Sequence, residues 1–87
     1  MGFSVVFSKK AEKQFEKLDK QAQRQVVTYI DSYLDGAINP RTQGKALVGD
    51  LNGLWRYRIG DYRIVCQIQD DVCVILLVKL GHRKEVY

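Results

Sequence analysis

Between residues 8 and 36 the apolar side chains recur every third or fourth position, and from residue 54 onward they recur every second. The first spacing makes a stripe along one side of an α-helix; the second puts alternate residues on one face of a strand. A chain of 87 residues has room for one core, so both kinds of element must share it. The expected class is therefore α+β, a single domain over residues 1–87 with helices covering one face of a sheet.

The elements can be laid out from their boundary residues. Phe3, Val5 and Phe7 alternate with Ser4 and Val6 as a short strand. Ser8 can cap a helix carrying Ala11, Phe15 and Leu18, and Asp19 a second carrying Ala22, Val26, Tyr29, Ile30, Tyr33 and Leu34. Gly36 ends that helix, and Pro40 forbids its continuation. Residues 37–53 hold few large apolar groups beyond Leu47, Val48 and Leu51 and read mostly as connection. Strands follow at 54–59, 62–69 and 72–80, joined by turns at Gly60-Asp61 and Asp70-Asp71. The order is β-α-α-β-β-β: a two-helix hairpin packed on a mainly antiparallel four-stranded sheet.

Several classes of protein fit poorly. The longest apolar run, residues 72–78, is strand-sized, and a membrane-spanning helix needs about 20 apolar residues. Residues 1–5 lack the basic start and apolar stretch of a signal peptide, so the expected compartment is the cytoplasm, without a membrane partner. A hairpin turning at Asp70-Asp71 would set Cys66 and Cys73 diagonally on one face, about 7–8 Å apart and too far for an unstrained bridge. They read as core thiols. One histidine and no Cys-x-x-Cys motif give no zinc framework, and no metal or cofactor is expected.

The charge is +4, and its placement matters more than its size. Five of the six arginines (Arg41, Arg56, Arg58, Arg63, Arg83) lie in the second half, whereas the first half mixes Lys with Glu as solvated helix surface. Arginine is the better fork for phosphate, so this segregation points to an anion-binding surface.

The hairpin register sharpens that inference. A two-residue turn at Gly60-Asp61 sets Ile59 against Tyr62, Arg58 against Arg63 and Arg56 against Val65. Trp55, Tyr57, Ile59, Tyr62, Ile64, Cys66 and Ile68 then point the other way and form the floor for the helices. Trp55, Tyr57 and Tyr62 are thus core residues, not stacking platforms for bases. Like charges directly opposed across a sheet cost on the order of 0.2–1 kcal/mol, so folding alone gives little reason to keep Arg58 against Arg63. Beyond the last strand, Gly81-His82-Arg83-Lys84-Glu85-Val86-Tyr87 adds polar groups and closes on an apolar and an aromatic residue, as a docked end would.

The block Trp55-Arg56-Tyr57-Arg58-Ile59-Gly60-Asp61-Tyr62-Arg63-Ile64-Val65, followed by the acidic turn and the block from Gly81 to Tyr87, resembles the RelE/ParE toxin superfamily. Length and element order agree over essentially the whole chain. Within that superfamily the chain resembles the RelE-type mRNA interferases of type II toxin–antitoxin systems. The resemblance implies ribosome-dependent cleavage of messenger RNA, through attack of a ribose 2′-hydroxyl on the adjacent phosphate. By position it assigns the basic strand residues to Arg56, Arg58 and Arg63, the later arginine to Arg83 and a tyrosine to Tyr87. It also implies a cognate antitoxin, a ribosome carrying mRNA, and contact with operator DNA only through the antitoxin complex. This chain departs from the best-known RelE pattern in having arginines where that pattern has lysines at 56 and 58, and in placing His82 before Arg83.

In-line transesterification needs a base for the 2′-hydroxyl, charge stabilisation at phosphorus and an acid for the leaving 5′-oxygen. No carboxylate cluster suited to magnesium stands near the basic strands, so the expected mechanism is metal-independent, with arginines stabilising the charge. Arg56, Arg58 and Arg63 would grip the phosphate with Lys84 beside them, and Arg83 would meet the phosphate or the leaving group. The base is Tyr87 or His82: the resemblance favours the tyrosine, while the histidine starts nearer neutrality. Three other readings compete: a ParE-like inhibitor of DNA gyrase without nuclease activity, a non-catalytic nucleic-acid-binding module, and a plain structural domain on which the arginine face is incidental.

Overall fold

The computed structural model describes residues 2–49 and 53–84. A short strand β1, Ser4–Phe7, leads into two helices that start where their capping residues predict. Ser8 Oγ accepts from the Ala11 N–H at 3.1 Å and opens α1, Lys9–Glu16. The Asp19 carboxylate accepts from the Ala22 N–H at 2.7 Å and opens α2, Lys20–Tyr29. Each bond satisfies a backbone donor that has no partner inside its helix. A wider π turn, Ile30–Leu34, continues α2, and Gly36 with φ +82° reverses the chain. Of the predicted stripe, Ala11, Ala22, Val26, Ile30 and Leu34 are in the core and Phe15, Leu18 and Tyr29 pack against it, whereas Tyr33, expected on the stripe, is exposed.

The sheet has five strands in the order β1-β5-β4-β3-β2, where β2 is Lys45–Ala46, β3 Trp55–Ile59, β4 Tyr62–Gln69 and β5 Val74–His82. β1 runs parallel to β5; every other pairing is antiparallel. The sequence predicts four strands. The fifth, β2, falls in the stretch read as connection; its two residues are both exposed and carry no alternation to betray them.

What places β2 is its attachment to β3. The Tyr57 hydroxyl, buried, donates to Pro40 O at 2.6 Å, and Trp55 Nε1 donates to Gln43 O at 2.7 Å. Burial pushes the Tyr57 phenol above its ordinary range, which keeps it a donor. Gly44 at φ +80° lets the backbone pass so close that a Cβ there would stand 2.2 Å from Arg56 O.

The β4–β5 connection also differs from expectation. Gln69 pairs with Val74, so the loop is residues 70–73 rather than the two residues Asp70-Asp71, and Cys73 takes φ +54°. Cys73 therefore leaves the ladder, and Cys66 pairs with Leu77 instead of lying diagonal to it. Both thiols are free. Cys66 is a core thiol, pushed up to about 12 by desolvation, and Cys73 packs against the edge of the core. Arg41 reaches this loop with two N–H groups, each 2.9 Å from an Asp70 carboxylate oxygen.

The core lies between the helices and one face of the sheet, where Tyr57, Ile59, Ile64, Cys66, Ile75, Leu77 and Leu80 are buried. One irregularity decides what reaches the opposite face. Val65 pairs with Lys79 and Cys66 with Leu77, so Val78 is an extra residue, a β-bulge in β5. Side chains of the first helical segment hold it. Ser8 Oγ donates to Val78 O at 2.9 Å, and Gln14 Oε1 accepts from the Leu80 N–H at 2.8 Å. The bulge reverses the alternation of β5: Ile75 and Leu77 face the helices before it, Leu80 and His82 after it. Lys79 and Gly81 are turned outward.

Candidate functional site

Arg58 stands directly across from Arg63 and Arg56 directly across from Val65, in the register that a two-residue turn at Gly60-Asp61 requires. Antiparallel partners share a face, so the three arginines lie on the side of the sheet away from the helices. Pairing carries the face outward on both sides: Lys45 is opposite Arg56, Lys79 opposite Val65, and Gly81 opposite Arg63. Two rows thus cross the strands, Lys45–Arg56–Val65–Lys79 and Arg58–Arg63–Gly81. Neither contains an acidic residue. Arg41 and Asp70, outside both rows, form an ion pair with each other.

The rows are not uniformly open. Arg63 is half-buried and its Nε is shielded from solvent, while Val65 is fully buried, so the middle of the face is covered. Arg58 is exposed near the end of β3, where β2 no longer flanks it. It also borders a groove of about 630 Å³ along α2, lined by Arg24, Tyr29, Ser32, Tyr33 and Gly60 among others.

The chain beyond β5 returns to the same end of the sheet. The Arg83 N–H donates to Asp61 O at 2.9 Å, which ties it to the β3–β4 turn next to the Arg58–Arg63 pair. Arg83 and Lys84 are both exposed. His82 goes elsewhere. It pairs with Tyr62 on the helix side, its ring edge-on to the tyrosine with centroids 5.9 Å apart, in a hollow shared with Gln14, Lys17 and Leu18. The structure therefore brings Arg56, Arg58 and Arg63 together and Arg83 to their end, and sets His82 on the other face. Tyr87 lies outside the described residues.

Two cations of this face, Lys45 and Lys79, are invisible to period-two reasoning. One sits on a strand too short to show a period, and the other is turned by the bulge. Trp55, Tyr57 and Tyr62 lie on the helix side as their parity predicts, with Tyr57 fully buried. No three His, Cys, Asp or Glu side chains converge among the described residues in a way that could hold a metal ion.

Residues 5–87 match the model of a family described as the ParE toxin of the type II toxin–antitoxin system parDE. The chain belongs to this toxin family. The toxin is 28% identical over 87 residues to Toxin RelG of Mycobacterium tuberculosis, an alignment covering 100% of this chain and 98% of the relative. Among solved structures it resembles a chain of the toxin–antitoxin complex RelBE2 of M. tuberculosis, with a TM-score of 0.85, 26% identity, and 95% of this chain and 100% of that chain covered. It shares its fold with the free Escherichia coli toxin RelE carrying two arginine-to-alanine substitutions, with a TM-score of 0.78, 22% identity, and 99% and 88% of the two chains covered. The toxin is thus a member of the RelE/ParE superfamily, with the α+β fold of its neighbours. No helix among its described residues is long and apolar enough to cross a membrane.

Proposed function

We propose that this toxin is an endoribonuclease that cuts messenger RNA on the ribosome, by attack of a 2′-hydroxyl on the adjacent phosphate. One observation carries the reading: two arginines directly opposed across a hairpin, a third beside them, and Arg83 tied to the same end of the sheet through Asp61. Such a cluster is unfavourable for folding and favourable for an anion whose charge grows during reaction.

In this mechanism Arg56, Arg58 and Arg63 hold the scissile phosphate, with Lys84 beside them, and their guanidinium groups stabilise the charge developing on its non-bridging oxygens. Arg83 meets the phosphate or the leaving 5′-oxygen. Of the two candidate bases Tyr87 is preferred, because the His82 ring packs against Tyr62 on the helix side. The products are a 2′,3′-cyclic phosphate and a free 5′-hydroxyl. Neighbours solved in complexes such as RelBE2 support a cognate antitoxin as partner, and a cationic face of this kind suits a flexible acidic segment that orders on binding.

The test is to express the toxin, with and without Arg63→Ala, in a translation extract and map cuts in the transcripts. The wild type should cut, and the variant should lose about 10²–10³ in rate, as for loss of one oxyanion donor. A transcript with hydrogen in place of the reacting 2′-hydroxyl should bind and stay intact; cleavage of it sinks the mechanism. The ParE description of the matching family favours a second reading, inhibition of DNA gyrase. Loss of supercoiling activity on plasmid, with transcripts uncut, would select it.

A further inference from the structure

The scissile-phosphate cluster leaves two cations of the same face without a task. Lys45 is opposite Arg56, and Lys79 is on the far side of Val65, so Lys45, Arg56 and Lys79 make a row of their own in which Arg56 and Lys79 flank one short side chain. Their row runs parallel to the Arg58–Arg63 row, two residues away along the strands, or roughly 6.6–6.8 Å at the rise of a strand. That offset is close to the step between successive phosphates of an extended single strand of RNA.

Both lysines are where they are because dedicated contacts put them there. Lys45 belongs to a two-residue strand fastened by Tyr57 to Pro40 O, by Trp55 to Gln43 O, and by the close passage of Gly44. Lys79 faces outward only because Val78 is extra, and Ser8 and Gln14 hold that bulge. A regular β5 would turn Lys79 to the helix side and Leu80 outward. Adding two positive charges beside three arginines works against folding, and lysine, a compact point charge, suits a backbone phosphate that needs no planar recognition.

Resting on the nuclease reading, we infer that Lys45 and Lys79, with Arg56 shared between the two rows, form a second phosphate subsite, which holds the RNA backbone one phosphate away from the bond that Arg56, Arg58, Arg63 and Arg83 act on. An acidic peptide would also be attracted to these charges. Two parallel rows at a fixed step match the regularly repeating charge of a nucleic acid backbone better.

The experiment uses ¹⁵N-labelled toxin titrated with two RNAs that carry hydrogen for the reacting 2′-hydroxyl, a dinucleotide with one phosphodiester and a trinucleotide with two. The double variant Lys45→Gln, Lys79→Gln should bind the dinucleotide as the wild type does and the trinucleotide more weakly. Its dependence of log K on log salt for the trinucleotide should be shallower by about 0.7, the contribution of the one phosphate that the subsite holds on a single strand. Lys45→Arg with Lys79→Arg should restore the slope. An unchanged slope and affinity overturn the subsite, as does a double variant that loses affinity for an acidic antitoxin peptide and not for the trinucleotide. Cuts in a translation extract report separately on the nuclease reading. A wild type that shows the two-phosphate slope and makes no cuts keeps the subsite and sinks the enzyme. A double variant that cuts normally with an unchanged slope does the reverse.

Discussion

Arg63 faces Gly81 across the β4–β5 ladder, so the residue directly opposite the half-buried arginine carries no side chain. A side chain at 81 would stand on the same face as the guanidinium. Gly81→Val puts a β-branched residue there, which a strand accepts readily. The variant should keep its thermal midpoint and lose cleavage by about 10²-fold, the scale of a misplacement near 1 Å. Cleavage kinetics beside a melting curve decide it, and unchanged cleavage removes the functional meaning of the Arg63–Gly81 pair.

Arg58 and Arg63 oppose each other as like charges. Arg58→Thr removes the repulsion from the exposed member and supplies a good strand former. Stability in urea should stay level or rise by up to about 1 kcal/mol, while cleavage falls. A large destabilisation would mean that the pair supports the fold instead of opposing it.

Gln14 and Ser8 hold the bulge from the helix side. Gln14→Leu leaves the Leu80 N–H without its acceptor, a part-buried loss of about 1–3 kcal/mol. Ser8→Ala removes the α1 cap and the Val78 carbonyl's donor together, and should cost at least the roughly 1 kcal/mol of a lost cap. Urea unfolding measures both. Since Lys79, Gly81 and Arg83 are all phased by the bulge, amide shifts after residue 78 should move in both variants.

Asp70 and Arg41 join the β4–β5 loop to the segment that carries β2. The hydrogen-bonded Arg41 guanidinium holds the Asp70 carboxyl below its ordinary range. A depressed carboxyl contributes stability that is fully present above its unfolded pKa, near 3.9, and is lost as pH falls through the lower folded value. The wild type should therefore exceed Asp70→Asn in stability by a constant small margin at neutral pH, and the margin should close only below about pH 4. The pair is exposed, so added salt should shrink the margin at every pH. Urea midpoints across that range test it; a gap that widens on acidification contradicts the assignment.

Local chemistry carried much of this molecule into view before any coordinates. Ser8, Asp19 and Gly36 mark helix boundaries because caps and left-handed turns are made by adjacent residues. The opposition of Arg58 to Arg63 follows from alternation and a two-residue turn, so the centre of the cationic face is written in fewer than ten consecutive positions. Lys45, Lys79 and His82 were beyond such reasoning. Lys45 is located by a buried tyrosine hydrogen-bonded to Pro40, 17 positions away, while Lys79 and His82 take their faces from a bulge held by side chains of residues 8 and 14. Alternation is a property of one strand and can be read along it. A one-residue slip between strands reverses every face after it, and whether that slip is tolerated depends on hydrogen-bond partners that only the packed helix supplies.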